Sequence, residues 1–216
     1  MQTRHRSPLG FTLIELLVVI AIIGLLISIV SFAVVRQRQA GRITECKARL
    51  TQIGLLLATY QDRMGDYPPS RLAAVGVKEH NRINEGIEAL VVALKAPDYS
   101  GRRPEEGWLG NTDGDKDDRL KLVDGSKALL ELLDPWDDPI VYIASGDYDD
   151  ESVYRFGAGA GGGGAASEDV TVRAAINRLT GAPHEFEAYQ LRSAGPDGIL
   201  DTDDDIANYE IPRDED

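Results

Sequence analysis

The sequence predicts an α+β chain: one very long N-terminal helix packed on a small antiparallel β-sheet. Three observations predict it. Phe11 to Val35 is almost wholly apolar over 25 positions. An apolar stripe at helical spacing follows without a break as far as Met64. Beyond Pro68-Pro69 the pattern changes to short apolar segments, rich in β-branched and aromatic residues, between Gly-, Pro- and Asp-rich turns.

The stripe is made of Ile43, Cys46, Leu50, Ile53, Leu57, Tyr60 and Met64, spaced alternately three and four apart. That spacing puts them on one face of an amphipathic helix whose other faces carry Arg, Lys, Gln and Asp. The helix should stop near Gly65, ahead of Asp66-Tyr67-Pro68-Pro69. From Phe11 to Met64 it would span 54 residues, roughly 80 Å if continuous. Its first part, 11–35, is long enough to cross a bilayer. Its second part, 36–65, is the amphipathic half. Cys46 lies on the stripe, where a small buried apolar residue is expected.

Residues 1–10 are polar, carry Arg4 and Arg6, and end in Gly10. An ordinary secretory signal has a shorter apolar core and a small-residue cleavage site after it. Here the apolar run is longer and contains Glu15. A carboxylate at membrane depth costs at least ~2.5–3.5 kcal/mol on insertion scales, so its presence asks for a role. Cleavage between Gly10 and Phe11 would place a new α-amino group one helical turn before it. Arginines flank both ends of the run, Arg4 and Arg6 on one side and Arg36, Arg38 and Arg42 on the other. Charge bias alone therefore does not set its orientation.

Gly10-Phe11-Thr12-Leu13-Ile14-Glu15 after a short basic leader resembles the class III signal of type IV pilins and type II secretion pseudopilins. The resemblance implies cleavage after Gly10 by a prepilin peptidase on the cytoplasmic side, and N-methylation of Phe11. It implies that Glu15 pairs with the terminal amine of a neighbouring subunit during assembly. It also implies a single-pass anchor in a bacterial inner membrane with the head in the periplasm. Many members of the family carry a proline within the apolar stretch, where this chain has Phe32.

The head, 66–216, repeats the resemblance in short motifs. Asn84-Glu85-Gly86-Ile87-Glu88-Ala89-Leu90-Val91 reads as a short apolar-rich helix, similar to the Gln-Gly-Leu-Glu-Ala-Leu segment of major type II secretion pseudopilins, the general secretion pathway protein G family. Asp134-Pro135-Trp136-Asp137-Asp138-Pro139 resembles that family's Asp-Pro-Trp-Gly-Asn-Pro turn, which feeds a strand. Residues 95–127 read as a charged, loop-rich insertion. Strands are expected at Ile140–Ala144, Val153–Phe156 and Phe186–Ser193. The run 157–166 contains a literal G-x-G-x-x-G, but more glycine follows where a helix would have to open, so a flexible loop is expected rather than a phosphate cradle.

The segment 193–209 places five aspartates, Asp197, Asp201, Asp203, Asp204 and Asp205, within nine positions. Gly195, Pro196 and Gly198 shape a tight turn there, and Ile199, Leu200 and Ile206 are expected to tie it to the head. Oxygen-only ligands suit Ca²⁺. The segment resembles the calcium loop of major pseudopilins. Carried over without a gap, that resemblance implies side-chain ligands Asp197, Thr202, Asp204 and Asp205 and carbonyl ligands Ala194 and Ile199, with Asp201 and Asp203 as substitutes. Tyr209 stands in place of the family's tryptophan. A second acidic run, Asn111-Thr112-Asp113-Gly114-Asp115-Lys116-Asp117-Asp118, begins like an EF-hand loop. Glycine comes too early in it, Lys116 takes the glycine's place and Leu122 that of the closing glutamate. A solvated insertion loop is expected there instead of a second calcium site near Asp113–Asp117.

Composition narrows the function further. Lysine and arginine number 23 against 36 aspartates and glutamates, a formal net charge of -13 that opposes nucleic-acid binding. One cysteine rules out an intramolecular disulfide, which leaves a metal as the available staple for an extracytoplasmic head. His5, His80 and His184 are the only histidines, and no G-x-S-x-G, H-E-x-x-H or C-x-x-C is present, so no enzymatic activity is expected. The expected function is that of a structural subunit in a periplasmic type II secretion filament that promotes export across the outer membrane. Implied partners are further copies of the chain, other pseudopilins, the peptidase, an inner-membrane assembly platform and membrane lipid. A type IV pilin for adhesion or motility is the first rival, although such pilins commonly close the head with a disulfide. A membrane-anchored enzyme or ligand-binding domain is the second.

Overall fold

A computed structural model describes residues 13–157 and 167–211, without the side chains of 29–35. The leader, Gly10, Phe11, the Phe32 side chain and most of the glycine run lie outside the described residues. The first helix, α1, runs Leu13–Met64 and is 52 residues long. By contacts the chain divides into two units, residues 1–41 and 42–216.

In the first unit, Leu13, Ile14, Leu16, Ile20 and Leu25 are exposed, and Glu15 stands in the first turn of α1. Among the described residues no helix is long and apolar enough to cross a membrane. Within the apolar run the described side chains are those of 13–28, so the expected span of 11–35 reaches beyond them.

In the second unit the stripe behaves as its spacing predicts. Cys46, Leu50, Ile53 and Leu57 are buried, Ile43 and Tyr60 pack against the core edge, and Met64 is exposed. Leu56 joins the buried face. The helix ends at Met64, where Gly65 takes a left-handed φ of 89° and donates its N–H back to the Gln61 carbonyl. Burial pushes the Cys46 thiol up to about 11, as expected of a packing residue rather than a reactive one.

The second helix, α2 (Glu85–Lys95), is buried along its whole length. Ile87, Leu90, Val91 and Leu94 face the main core, shared with α1, while Ala89 and Val92 face a second cluster with Leu72, Val77, Leu120, Leu122 and Leu129. Residues 95–127 are therefore not simply a solvated insertion: Leu120 and Leu122 cover the outer face of α2. Without that cover, apolar helix surface would meet water at roughly 25 cal/mol per Å².

The β structure departs from one small sheet. Strands β1 (Leu109–Gly110) and β2 (Glu131–Leu132) form one antiparallel pair. Strand β3 (Val141–Ala144) pairs with β6 (Tyr189–Ser193), which pairs with β7 (Ile206–Ala207), all antiparallel. Strands β4 (Ser152–Phe156) and β5 (Glu168–Val172) form a third antiparallel sheet. The expected strands at 140–144 and 153–156 appear within a residue, and the one at 186–193 is shorter. Strands β1, β2, β5 and β7 lie outside the expected ones, and the register of β5 with β4 is set across the glycine run. Strands of two to five residues give each partner few ladder bonds, and the buried α2 supplies the core contact a wider sheet would provide.

Gly86 explains the close seating of α2. A Cβ there would lie 2.2 Å from the Tyr142 carbonyl oxygen and 2.5 Å from the Tyr154 hydroxyl. That hydroxyl accepts from the Tyr142 N–H at 3.1 Å, so the strand backbone cannot retreat without losing a buried bond. Gly86→Ala is expected to destabilise the head by about 2–3 kcal/mol through overpacking. Thermal melting checks this, and an unchanged melting temperature would mean that α2 shifts freely.

Candidate functional site

The C-terminal segment is anchored from both ends. At its start, Ser193 Oγ donates to Asp134 Oδ2 at 2.6 Å and accepts from the Gly195 N–H at 3.1 Å. Asp134 Oδ1 in turn accepts from the N–H groups of Trp136 and Asp138 at 2.8 and 3.1 Å. The Asp-Pro-Trp turn, with Asp137 at φ 68°, is thus bonded directly to the acidic loop. At its far end, Asn208 Oδ1 accepts from the Leu191 N–H at 2.7 Å, and Asn208 Nδ2 donates to the Tyr189 carbonyl at 3.2 Å. Tyr209 stacks on His184 with ring centroids 4.6 Å apart.

Within the loop the expected ligands fall into two groups. Thr202 Oγ1 lies 2.6 Å from Asp204 Oδ1 and 3.1 Å from the Ile199 carbonyl. Asp204 Oδ2 accepts from the Asp197 N–H at 3.2 Å, and Asp197 Oδ1 accepts from the Ile199 N–H at 2.8 Å. Asp197, Ile199, Thr202 and Asp204 are therefore drawn together. Gly195 at φ 68° makes this turn possible, since a Cβ there would sit 2.3 Å from the Asp204 carbonyl. Ala194, the other expected carbonyl ligand, is buried at the turn's entrance.

The Asp205 side chain is held by different partners, although its N–H donates to the Thr202 carbonyl at 3.3 Å. Its Oδ2 accepts from the Asp201 N–H at 3.0 Å and lies 3.8 Å from Arg192 Nη1, which also pairs with Asp201 Oδ1 at 2.5 Å. Burial pushes the Asp205 carboxyl up to about 6, and its Oδ1 is buried without a hydrogen-bond partner. Arg192 is the residue that sequence reasoning missed: it offsets part of the charge assigned to repulsion. One further expectation fails. Leu200 and Ile206 are buried, but the Ile199 side chain is exposed, so only its backbone serves the loop.

Among the described residues, the place where carboxylate oxygens of three residues all come within 4.8 Å of one another is elsewhere, at Glu88, Asp113 and Glu131. At that separation two unit charges repel by about 3 kcal/mol at an effective dielectric near 20. Asp113 and Asp115 are only partly exposed and Asp117 is buried. The 111–118 run is thus folded against the head, not held out in solvent as expected. Burial pushes the carboxyls of Glu88 and Glu131 up to about 11 and about 7. Each glutamate had one signal in the sequence, a lone acid within an apolar segment.

Residues 6–31 match the prokaryotic N-terminal methylation motif. The chain is 29% identical over 168 residues to the type II secretion system core protein G of Pseudomonas aeruginosa, covering 78% of this chain and 94% of that protein. It is 24% identical over 204 residues to the protein of the same name from Escherichia coli K12, covering 94% of this chain and 92% of that one. No solved structure matches the chain.

Proposed function

We infer that this chain, a pseudopilin of the type II secretion core protein G kind, is the structural subunit of a type II secretion pseudopilus. The observation that carries the reading is a methylation motif at 6–31 on a chain that aligns with nearly the full length of two core protein G relatives. In this reading residues 1–10 are removed, the apolar part of α1 anchors the subunit in the inner membrane and later packs inside the filament, and the head faces the periplasm. Partners are further copies of the chain, other pseudopilins and an assembly platform. The role is mechanical: the filament promotes protein export across the outer membrane.

Calcium at the C-terminal loop belongs to the same reading. Asp197, Thr202, Asp204 and Asp205 with the carbonyls of Ala194 and Ile199 would hold it. Two features support the fit: the donors are all oxygen, and Asp205 Oδ1 is buried without a partner. The ion would supply positive charge among the aspartates and join the loop to the sheet end that Asn208 and Ser193 already define.

Processing is the direct experiment. Intact-mass analysis of protein extracted from membranes of a strain with an active prepilin peptidase should show residues 1–10 missing and one methyl group added at Phe11. An unprocessed N-terminus in that strain would remove the chain from the pathway.

A further inference from the structure

Independently of the filament reading, a second site emerges where three distant segments meet. Glu88 comes from the first turn of α2, Asp113 from the 111–118 loop and Glu131 from strand β2. Glu88 and Glu131 are both 0% exposed. Both carboxylate oxygens of Glu88 are buried with no amide, hydroxyl or cationic donor against them, and the group beside them is another carboxyl, Asp115, whose Oδ1 is buried in the same way. Native proteins rarely leave a buried carboxylate without a partner.

The other carboxylates are held in place by neutral donors. Glu131 Oε1 accepts from Asn84 Nδ2 and from the Thr112 N–H and Oγ1, each at 3.0 Å. Asn84 is the N-cap residue of α2, yet its side chain makes no cap bond. It holds Glu131 instead, against the usual habit of asparagine at that position. Asp113 Oδ2 accepts from Asn81 Nδ2 at 2.9 Å, and Asp115 Oδ2 from the Asn81 N–H at 3.3 Å. Three nearby cations make their ion pairs with other carboxylates: Lys116 with Asp118, Arg119 with Asp117 and Glu79, and Arg155 with Asp169.

We propose that Glu88, Asp113 and Glu131 hold a divalent cation of the calcium class, which staples the 111–118 loop to the first turn of α2. All of the donors are oxygens, which favours a hard cation over zinc. The neutral side chains of Asn81, Asn84 and Thr112 orient the ligands as supporting groups do around metals. The partly exposed Asp113 and Asp115 give an entry path. With the ion bound, Glu88 gains the partner it lacks, and the insertion becomes a fixed part of the head surface. The competing occupant is a proton shared between Glu88 and Asp115, which would relieve those two groups but leave Asp113 and Glu131 close together.

The test uses the full chain in detergent micelles, stripped with chelator and then titrated calorimetrically with CaCl₂. Asp204→Ala, which disables the C-terminal loop, should retain one tight calcium equivalent. Adding Asp113→Asn to that background should weaken this equivalent by on the order of 100-fold or more, beyond the loss that supporting groups cause. Asp113 is partly exposed and the replacement isosteric, so folding is preserved. Glu88→Gln should remove the same equivalent without lowering the melting temperature in chelator, because the amide replaces a carboxyl that burial already holds in its neutral form when no ion is bound. Loss of all tight calcium binding in Asp204→Ala, or an unchanged second equivalent in Asp113→Asn, overturns the proposal. If the C-terminal loop binds nothing, wild type and Asp204→Ala share one equivalent that Asp113→Asn removes, so failure of that reading is distinguishable.

Discussion

Glu15→Ala should leave membrane insertion intact and cut filament assembly by about 100-fold or more. Insertion should not suffer, because the substitution removes an ionisable group worth at least ~2.5–3.5 kcal/mol against transfer to the bilayer centre. Assembly should suffer, because in the proposed reading Glu15, in the first turn of α1, would be the partner of a neighbour's Phe11 amine. Breaking a buried ion pair from one side costs about 3–5 kcal/mol, since the remaining charge stays desolvated. Repeated at every subunit contact, that loss should leave monomers in the membrane. The experiment compares carbonate-resistant membrane protein with sheared filament for wild type and variant, both processed by the peptidase. Normal amounts of filament from Glu15→Ala would end the pairing hypothesis. Glu15→Asp should fall between, because the shorter side chain keeps the charge but misplaces it.

Removing calcium should lower the melting temperature of the head by roughly 5–10 °C. A ligand bound only by the folded state contributes about 2.7 kcal/mol at a hundredfold excess over its Kd. In a domain of this size each kcal/mol moves the midpoint by about 2–4 °C. Asp204→Ala should abolish the part of the shift that belongs to the C-terminal loop, and whatever remains should disappear with Asp113→Asn. Asp118, exposed and paired with Lys116, should be replaceable by alanine without effect. Magnesium should restore less than calcium, because it demands tighter octahedral geometry and sheds water reluctantly. Equal melting temperatures in chelator and in calcium, for stripped protein, would mean that neither acidic region holds a stabilising ion.

Much of this protein was legible before its structure because the informative signals are local. The N-terminal motif occupies six consecutive residues, and the three-four spacing from Ile43 to Met64 follows from the helical period alone. The sharp turn at Gly195 is likewise a backbone requirement that the sequence displays. Tertiary structure decided the rest, for one physical reason: charges and close approaches depend on segments far apart in the chain. Arg192 changes the electrostatics of the acidic loop from strand β6, and Gly86 matters only because Tyr142 and Tyr154 lie against it. Residues 111–118 read as solvated because their neighbours in sequence are charged. Their neighbours in space include Glu88 and Glu131, drawn inward with apolar segments whose burial outweighs the cost of the carboxylates they carry.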